Sequence, residues 1–442
     1  MMKIIIPLMS IPLLKKNQWP LTIAILFLLV TASFQTIPMA STYSPNLSQS
    51  LSQMSAALIM LSLWLTPLVL LASYPIFHAT KDETWFIMIT MTLIISLLMA
   101  FSMNSLISFY IMFETTLIPT MLLIMRWGPQ PERLLSSMYM LMYTLTASLP
   151  LLVMLTMIFM STSNLSIISP NIYMPISSKI SIFLIIAFLV KLPMYSTHQW
   201  LPKAHVEAPV AGSMILAGIL LKLGAYGLFL MFSMNLDLDI YKYLLTSLSL
   251  TGATTTALLC LRQADMKSLI AYASVAHMSF MLTAIMMESP LAWQGATIML
   301  IAHGLTSSGL FAAVNFIYES YKTRSLTIIK AVLSHAPMFG LWWFMLIISN
   351  MGTPPFINLP AEMFLISSIS SMWMFPYTIL LIMLIFLTSS YSLLLYTSTS
   401  HGTPHSVINP MSMNSPRNHL TLIMHLLPLL FMMLTLSYFT PQ

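Results

Sequence analysis

Charge is scarce in this chain. Only 6% of its 442 residues are Asp, Glu, Lys or Arg, about a quarter of what a soluble domain carries. With 58% hydrophobic residues, a soluble fold is excluded. Cysteine is almost missing as well. Cys260 stands alone, which rules out an internal disulfide framework and any cysteine-built metal or iron–sulfur site; it reads as a small apolar helix residue. No G-x-x-x-x-G-K-[ST], G-x-G-x-x-G or H-E-x-x-H occurs, so phosphate-loop, dinucleotide and zinc-protease chemistries have no carrier. The net charge of +6 does not signal nucleic acid, because no basic stripe with interleaved aromatics is present.

What the chain has is apolar runs of membrane length from end to end. In lipid only helices or closed barrels pair every backbone group, and runs this continuous are helices. The runs lie at 2–14, 19–38, 54–76, 84–102, 105–125, 136–162, 180–200, 208–232, 242–261, 268–287, 291–319, 331–372 (interrupted), 375–396 and 420–438. This predicts an all-α polytopic membrane protein with about 14 transmembrane helices. The opening MMKIIIPLMSIPLLKK lacks a small-residue cleavage site and reads as a retained first helix. The 42 methionines exceed what adaptable packing needs; they fit a code that reads an isoleucine codon as Met, as in an organelle genome.

The basic residues test the count. With fourteen spans, Lys15, Lys16, Lys81, Arg126, Arg133, Lys203, Arg262, Lys267, Lys322, Arg324, Lys330 and Arg417 fall on one side. Lys3, Lys179 and Lys242 fall on the other, with both termini. That asymmetry is what the positive-inside rule expects.

Six ionisable residues remain inside the runs. They are Glu114 in SFYIMFETTLIPTM, Lys191 in IIAFLVK, Lys222 in GILLKLGAYG, His277 in ASVAHMSFM, His303 in MLIAHGLTSS and Glu362 after GTPPFINLP. A charge at the centre of a span costs about 3 kcal/mol on insertion scales, so such residues point to function. Each also has a plain reading. Glu114 and Lys191 could form an ion pair that only fixes packing, Lys222 could snorkel, and each histidine could be a hydrogen-bonded core residue. Taken together, Lys, His and Glu spread over several helices make the pattern of a proton relay. Burial drives a lysine toward losing its proton and a carboxyl toward keeping it, and a nearby opposite charge reverses both. At an effective dielectric of about 20, a charge about 4 Å away is worth roughly 4 kcal/mol, enough to switch a site between holding and releasing a proton.

Two spans carry helix breakers: Pro193 and Pro202 in the seventh, Pro354, Pro355 and Pro360 in the twelfth. They lie five spans apart and so run in opposite directions, and a charged residue accompanies each. Interrupted helices at matching positions of two halves indicate inverted repeats. The expected organisation is 1–78 (helices 1–3), 84–232 (helices 4–8, first repeat), 242–396 (helices 9–13, second repeat) and 397–442 (loop and helix 14). No residue-level match links the two halves.

The stretch KLPMYSTHQWLPKAHVEAPVAGSMILAGILLKLGAYG (191–227), with FETTLIPTMLLIMRWGPQPERL, YTLTASLPLLV, LRQADMKSLIAYASVAHMSFM and IAHGLTSSGLFAAVNF, resembles the antiporter-like, proton-conducting membrane subunits of mitochondrial respiratory complex I. The resemblance spans nearly the whole chain. It implies Glu114 and Lys191 as an interacting pair, Lys222 as the central relay group, His277 and His303 along the axis, and Glu362 as the terminal site. His198 and His205 are weaker candidates. It implies no cofactor or metal in this chain, with NADH, FMN, iron–sulfur clusters and ubiquinone in other subunits. The implied partners are neighbouring membrane-arm subunits in an obligate hetero-oligomer, and lipid such as cardiolipin. The implied place is the mitochondrial inner membrane, termini toward the intermembrane space and basic loops toward the matrix. Leu230 stands where many members have arginine, and Ala361 precedes Glu362 where a glycine is frequent. A subunit of a multi-subunit cation/proton antiporter shares this core, although RWGPQPERL and YTLTASLPLL favour the respiratory subunit. A third reading is a scaffold that no longer pumps.

Overall fold

Hydroxyl groups are the first problem for helices in lipid, since no water is present to satisfy them. In the computed structural model they turn back on their own helix. Ser62 donates to the Ile59 carbonyl at 2.7 Å, Thr66 to Leu63 at 2.8 Å and Ser274 to Ala271 at 2.7 Å. The structure describes residues 2–13, 19–36, 43–46, 49–79, 82–162, 178–234, 238–371, 375–403 and 413–435. Lys15, Lys16 and Lys81 of the expected basic loops lie outside them.

The chain packs as two compact units, Met1–Leu192 with Glu207–Tyr243, and Pro193–Val206 with Leu244–Gln442. The helices that begin in the first part of unit 1 are α1 (Met2–Ser10), α2 (Trp19–Thr36), α3 (Gln53–Ala72), α4 (Tyr74–Ala79), α5 (Glu83–Ser102), α6 (Leu106–Thr115), α7 (Leu117–Trp127), α8 (Arg133–Thr162) and α9 (Ser178–Lys191). A short antiparallel hairpin, Tyr43–Asn46 with Gln49–Leu51, lies between α2 and α3. Then comes α10 (Trp200–Glu207), most of which belongs to unit 2. The chain returns to unit 1 with α11 (Val210–Ile215), a π-helical turn at Leu216–Leu220, and α12 (Leu221–Phe232). Next come α13 (Asp239–Leu261), α14 (Met266–Ile285), α15 (Pro290–Tyr321), α16 (Val332–His335), α17 (Pro337–Asn350), α18 (Asn358–Ser370), α19 (Phe375–Ser400) and α20 (Pro416–Leu434). All of these but the first residues of α13 belong to unit 2.

Serines start several spans. Ser52 and Ser55 form a reciprocal capping box on α3 (2.8 and 3.1 Å), and Ser289 accepts from the Ala292 amide at 3.1 Å ahead of Pro290, the first residue of α15. Among the described residues ten helical spans are long and apolar enough to cross a membrane, counting α6–α7 as one and α11–α12 as one. Three shorter apolar helices, Trp19–Phe34, Ser181–Lys191 and Pro337–Asn350, join them. The chain is therefore a helical multi-pass membrane protein. α15 is the centre of unit 2: its apolar window is buried throughout, and it packs on α14, α17, α18 and α20. α8 and α19 keep much of their apolar surface outward.

Candidate functional site

The six ionisable residues divide evenly, Glu114, Lys191 and Lys222 in unit 1, His277, His303 and Glu362 in unit 2.

In unit 1 the first feature is a backbone break. Pro119 has no N–H for the Thr115 carbonyl and crowds it. The span accordingly splits into α6 and α7 at Thr116, just after Glu114. The carbonyl of Phe113 takes the Thr116 hydroxyl at 2.8 Å and the Lys191 ammonium at 3.1 Å. That ammonium also stands 3.3 Å from the centre of the Phe113 ring, a cation–π contact in a dry setting. Lys191 is the last residue of α9 and is 2% exposed. Sequence reasoning pairs Lys191 with the Glu114 carboxylate. The ammonium hydrogen-bonds the main chain one residue before Glu114 and lies close enough to the carboxylate to interact with it electrostatically. Both Glu114 oxygens are shielded from solvent and lack a hydrogen-bond partner among the described residues, with Lys191 and Ser148 among their neighbours.

Lys222 is fully buried and is the second residue after the π turn. Its ammonium donates to the Ala217 carbonyl inside that turn at 2.6 Å. A π turn leaves carbonyls out of register with the α ladder and recurs at functional sites. Two residues on, Gly224 lets α12 approach the end of α9: a Cβ there would stand 2.8 Å from the Leu192 nitrogen and 3.2 Å from the Lys191 carbonyl carbon. Phe109, Phe113, Phe188 and Tyr226 wall this region with ring centres 5.5–6.2 Å apart.

In unit 2, His277 on α14 and His303 on α15 are both buried, on uninterrupted helices. Their ring centres are 5.8 Å apart. Nε2 of His277 shares a hydrogen bond of 3.1 Å with the Tyr391 hydroxyl of α19. Glu362 lies on the first turns of α18, after the break that follows α17. Gly352 in that break has φ +74° and its Cα lies against the Glu362 carboxylate, leaving no space for a side chain. His277 and Glu362 line one small cavity with Ala276 and Thr388, and His303 lines another with Tyr391, Asn350 and Ser307.

The weaker candidates also fall in unit 2. His198 stacks on Tyr195 and its Nδ1 meets the Tyr195 carbonyl. His205 stacks on Phe311 with centres 4.6 Å apart. His425 on α20, which sequence reasoning passed over, is fully buried with Nδ1 2.7 Å from the Thr421 carbonyl. The signal was there, a histidine inside the apolar run 420–438. Among the described residues no group of three or more His, Cys, Asp or Glu side chains is placed to hold a metal ion.

One arrangement recurs. Glu114, Lys191, Lys222 and Glu362 each sit at or beside a local break in helical hydrogen bonding, whereas His277 and His303 do not. Such breaks are tolerated at membrane depth where the segment is buried in protein or lines a hydrated cavity.

Comparison with known proteins gives the family of the chain. Residues 102–391 match the family model described as NADH:quinone oxidoreductase/Mrp antiporter, TM, and residues 1–100 match NADH-ubiquinone oxidoreductase chain 4, amino terminus. The chain is 43% identical over 445 residues to the NADH-ubiquinone oxidoreductase chain 4 of Lumbricus terrestris, covering 97% of each chain. It is 42% identical over 458 residues to that of Petromyzon marinus, covering 98% of each. Its fold superposes with a TM-score of 0.84 on a chain of respiratory complex I from Thermus thermophilus, at 22% identity and covering 99% of this chain and 96% of that one. A chain of the Mrp complex from Dietzia gives 0.83 at 16% identity, covering 99% and 95%. The chain belongs to the NADH-ubiquinone oxidoreductase chain 4 family.

Proposed function

We propose that this chain is a proton-translocating membrane-arm subunit of respiratory complex I, and that Glu114, Lys191, Lys222, His277, His303 and Glu362 carry the proton. The observation that carries the relay is the placement of the charged members at backbone breaks. An ammonium in lipid needs oxygen dipoles, and a carbonyl in an intact helix points along the axis at its i+4 amide and offers a second donor only limited access. At the breaks the carbonyls of Phe113 and Ala217 accept the two lysines. A carbonyl accepts more strongly from an ammonium than from a neutral amine, so each site favours the loaded lysine over the unloaded one. Glu114, next in the chain to Phe113 whose carbonyl holds Lys191, would set which form prevails.

The family assigns NADH oxidation and ubiquinone reduction to the complex. In this reading those reactions, with FMN and iron–sulfur clusters, belong to other subunits, and this chain couples to them by electrostatic and conformational change. The setting is the mitochondrial inner membrane, supported by the mitochondrial relatives and the methionine excess. Termini toward the intermembrane space and basic loops toward the matrix follow from the twelve-to-three distribution of basic residues. The fourteen-span layout with inverted repeats at 84–232 and 242–396 draws support from the two interrupted spans, α9–α10 and α17–α18. Neighbouring antiporter-like subunits and anionic lipid would cover the outward faces of α8 and α19. The match of residues 1–100 to the chain 4 amino terminus favours this reading over a cation/proton antiporter subunit.

Lys222→Ala in the assembled complex tests it. NADH-driven proton uptake by proteoliposomes falls at least tenfold, about 1.4 kcal/mol in barrier, while native electrophoresis shows the complex intact. Full pumping by that variant overturns the relay.

A further inference from the structure

A relay needs hydrogen-bonded contact at each handover, and in unit 2 that contact runs through a residue outside the acidic and basic set. We propose that Tyr391 is a relay residue, its hydroxyl passing the proton between the His303 cavity and His277. This rests on the relay reading above and names a further member of it.

Three observations carry the proposal. Tyr391 is 1% exposed although α19 turns much of its surface outward. Its stripe on the helix, Leu384, Leu387, Thr388, Ser392 and Leu395, is the buried one. A buried phenol hydroxyl needs a partner, and this one meets Nε2 of His277 at 3.1 Å. It also lines the cavity shared with His303, Ser307, Ser274 and Asn350, with the Asn350 side chain close by. Nε2 of the His277 ring bonds Tyr391, and the ring centre is 5.8 Å from that of His303.

The cavities fit the same path. One lies on the His303 and Tyr391 side and the other between His277 and Glu362. Each offers about 10 Å³ to the centre of a water molecule, the size that holds one water with polar partners. The order along unit 2 is then His303, one water, Tyr391, His277, one water, Glu362. The step balances without net change on the phenol. Tyr391 gives its O–H proton to Nε2 of neutral His277, forming the N–H bond. At the same time its oxygen takes a proton from the water on the His303 side, which is refilled from His303 in its doubly protonated form. The doubly protonated His277 then releases its other ring proton to the water on the Glu362 side. A phenol never has to stay ionised, which suits an apolar site.

The test uses the purified complex in proteoliposomes, with Tyr391→Phe, Tyr391→His and His277→Ala beside the parent. Tyr391→Phe keeps the ring and its packing; NADH-driven proton uptake should fall at least threefold and its solvent deuterium isotope effect should change. Tyr391→His restores a group that can both donate and accept, and should recover at least half of the lost rate, which a purely structural hydroxyl would not require. Parental pumping by Tyr391→Phe with loss in His277→Ala overturns the role of Tyr391 and leaves the relay standing. Parental pumping in both overturns the relay through unit 2. If Tyr391→Phe does not assemble, 3-fluorotyrosine at position 391 keeps shape and hydroxyl; an unchanged rate and isotope effect there overturn the proposal.

Discussion

Lys222 and His277 are buried to nearly the same degree on apolar spans, yet the molecule holds them differently. Lys222 follows a π turn and reaches a carbonyl of that turn. His277 sits in the middle of a continuous α14 and reaches a side chain of another helix. The same contrast separates Lys191, at the end of α9 and bound to the Phe113 carbonyl, from His303, inside the uninterrupted α15. An ammonium carries a full charge and three donors that a neighbouring hydroxyl cannot satisfy. An imidazole can sit neutral with one partner per nitrogen. Broken backbone therefore accompanies the lysines, and intact backbone is sufficient for the histidines.

The most direct way to break the comparison is to remove the charge and keep the break. Lys191→Met fills a similar volume and leaves the Phe113 carbonyl with the Thr116 hydroxyl alone. Proton uptake should drop at least roughly tenfold, about 1.4 kcal/mol in barrier, with the complex assembled. Near-parental uptake would mean that the ammonium only plugs an awkward carbonyl. The complementary change keeps the charge and closes the break. Pro119→Ala returns an N–H to the Thr115 carbonyl and allows α6 and α7 to join; a proline inside a helix costs about 3 kcal/mol, so the variant should melt no lower than the parent. Its proton uptake should nevertheless fall roughly threefold, about 0.65 kcal/mol, because straightening the span at Thr116 re-aims the Phe113 carbonyl that holds Lys191. A variant that is as stable and pumps as well as the parent would separate the break from the lysine's function.

These sites were legible in the sequence to different depths. The helical class and the six ionisable residues followed from hydropathy, because a charge in an apolar run is conspicuous whatever surrounds it. The breaks at Pro193 and at Pro354–Pro355 were visible for the same kind of reason, since proline marks its own effect. Pro119 was equally visible, but the run 105–125 read as continuous because no second breaker stood beside it. The π turn at Leu216–Leu220 has no comparable mark: it is a shift of hydrogen-bond register among LAGIL, set by what packs on that stretch. Tyr391 was hidden for another reason. In TSSYS a hydroxyl has its own helix carbonyls to turn to, as Thr388 and Ser392 do at 2.8 and 2.9 Å, so only the tertiary contact singles out the tyrosine. Nor does sequence pairing of opposite charges reveal that Lys191 binds the carbonyl next to Glu114, because such a bond belongs to the backbone and carries no residue signature. The packing of Pro193–Val206 with unit 2 is a long-range matter that local patterns do not encode.

The smallest expected effect sharpens the comparison from outside the spans. Arg126, in the last turn of α7, bonds Asp82 ahead of α5 at 2.9 Å, and the two side chains are 43% and 49% exposed. Here a cation needs no broken helix, because water supplies the oxygen dipoles that the buried lysines take from carbonyls. Its pairing with Asp82 is screened and pays side-chain entropy, so it contributes about 0–1 kcal/mol. Arg126 also lies over the rings of Trp85 and Trp127, at 5.6 and 5.3 Å from their centres, worth about 0.5–1 kcal/mol where exposed. Arg126→Ala should therefore lower the melting temperature of the purified complex by only a degree or two and leave proton uptake unchanged. A loss of uptake comparable to Lys191→Met would show that any cation near α7 serves the transport, and the distinction between charges held by water and charges held by backbone breaks would lose its functional meaning.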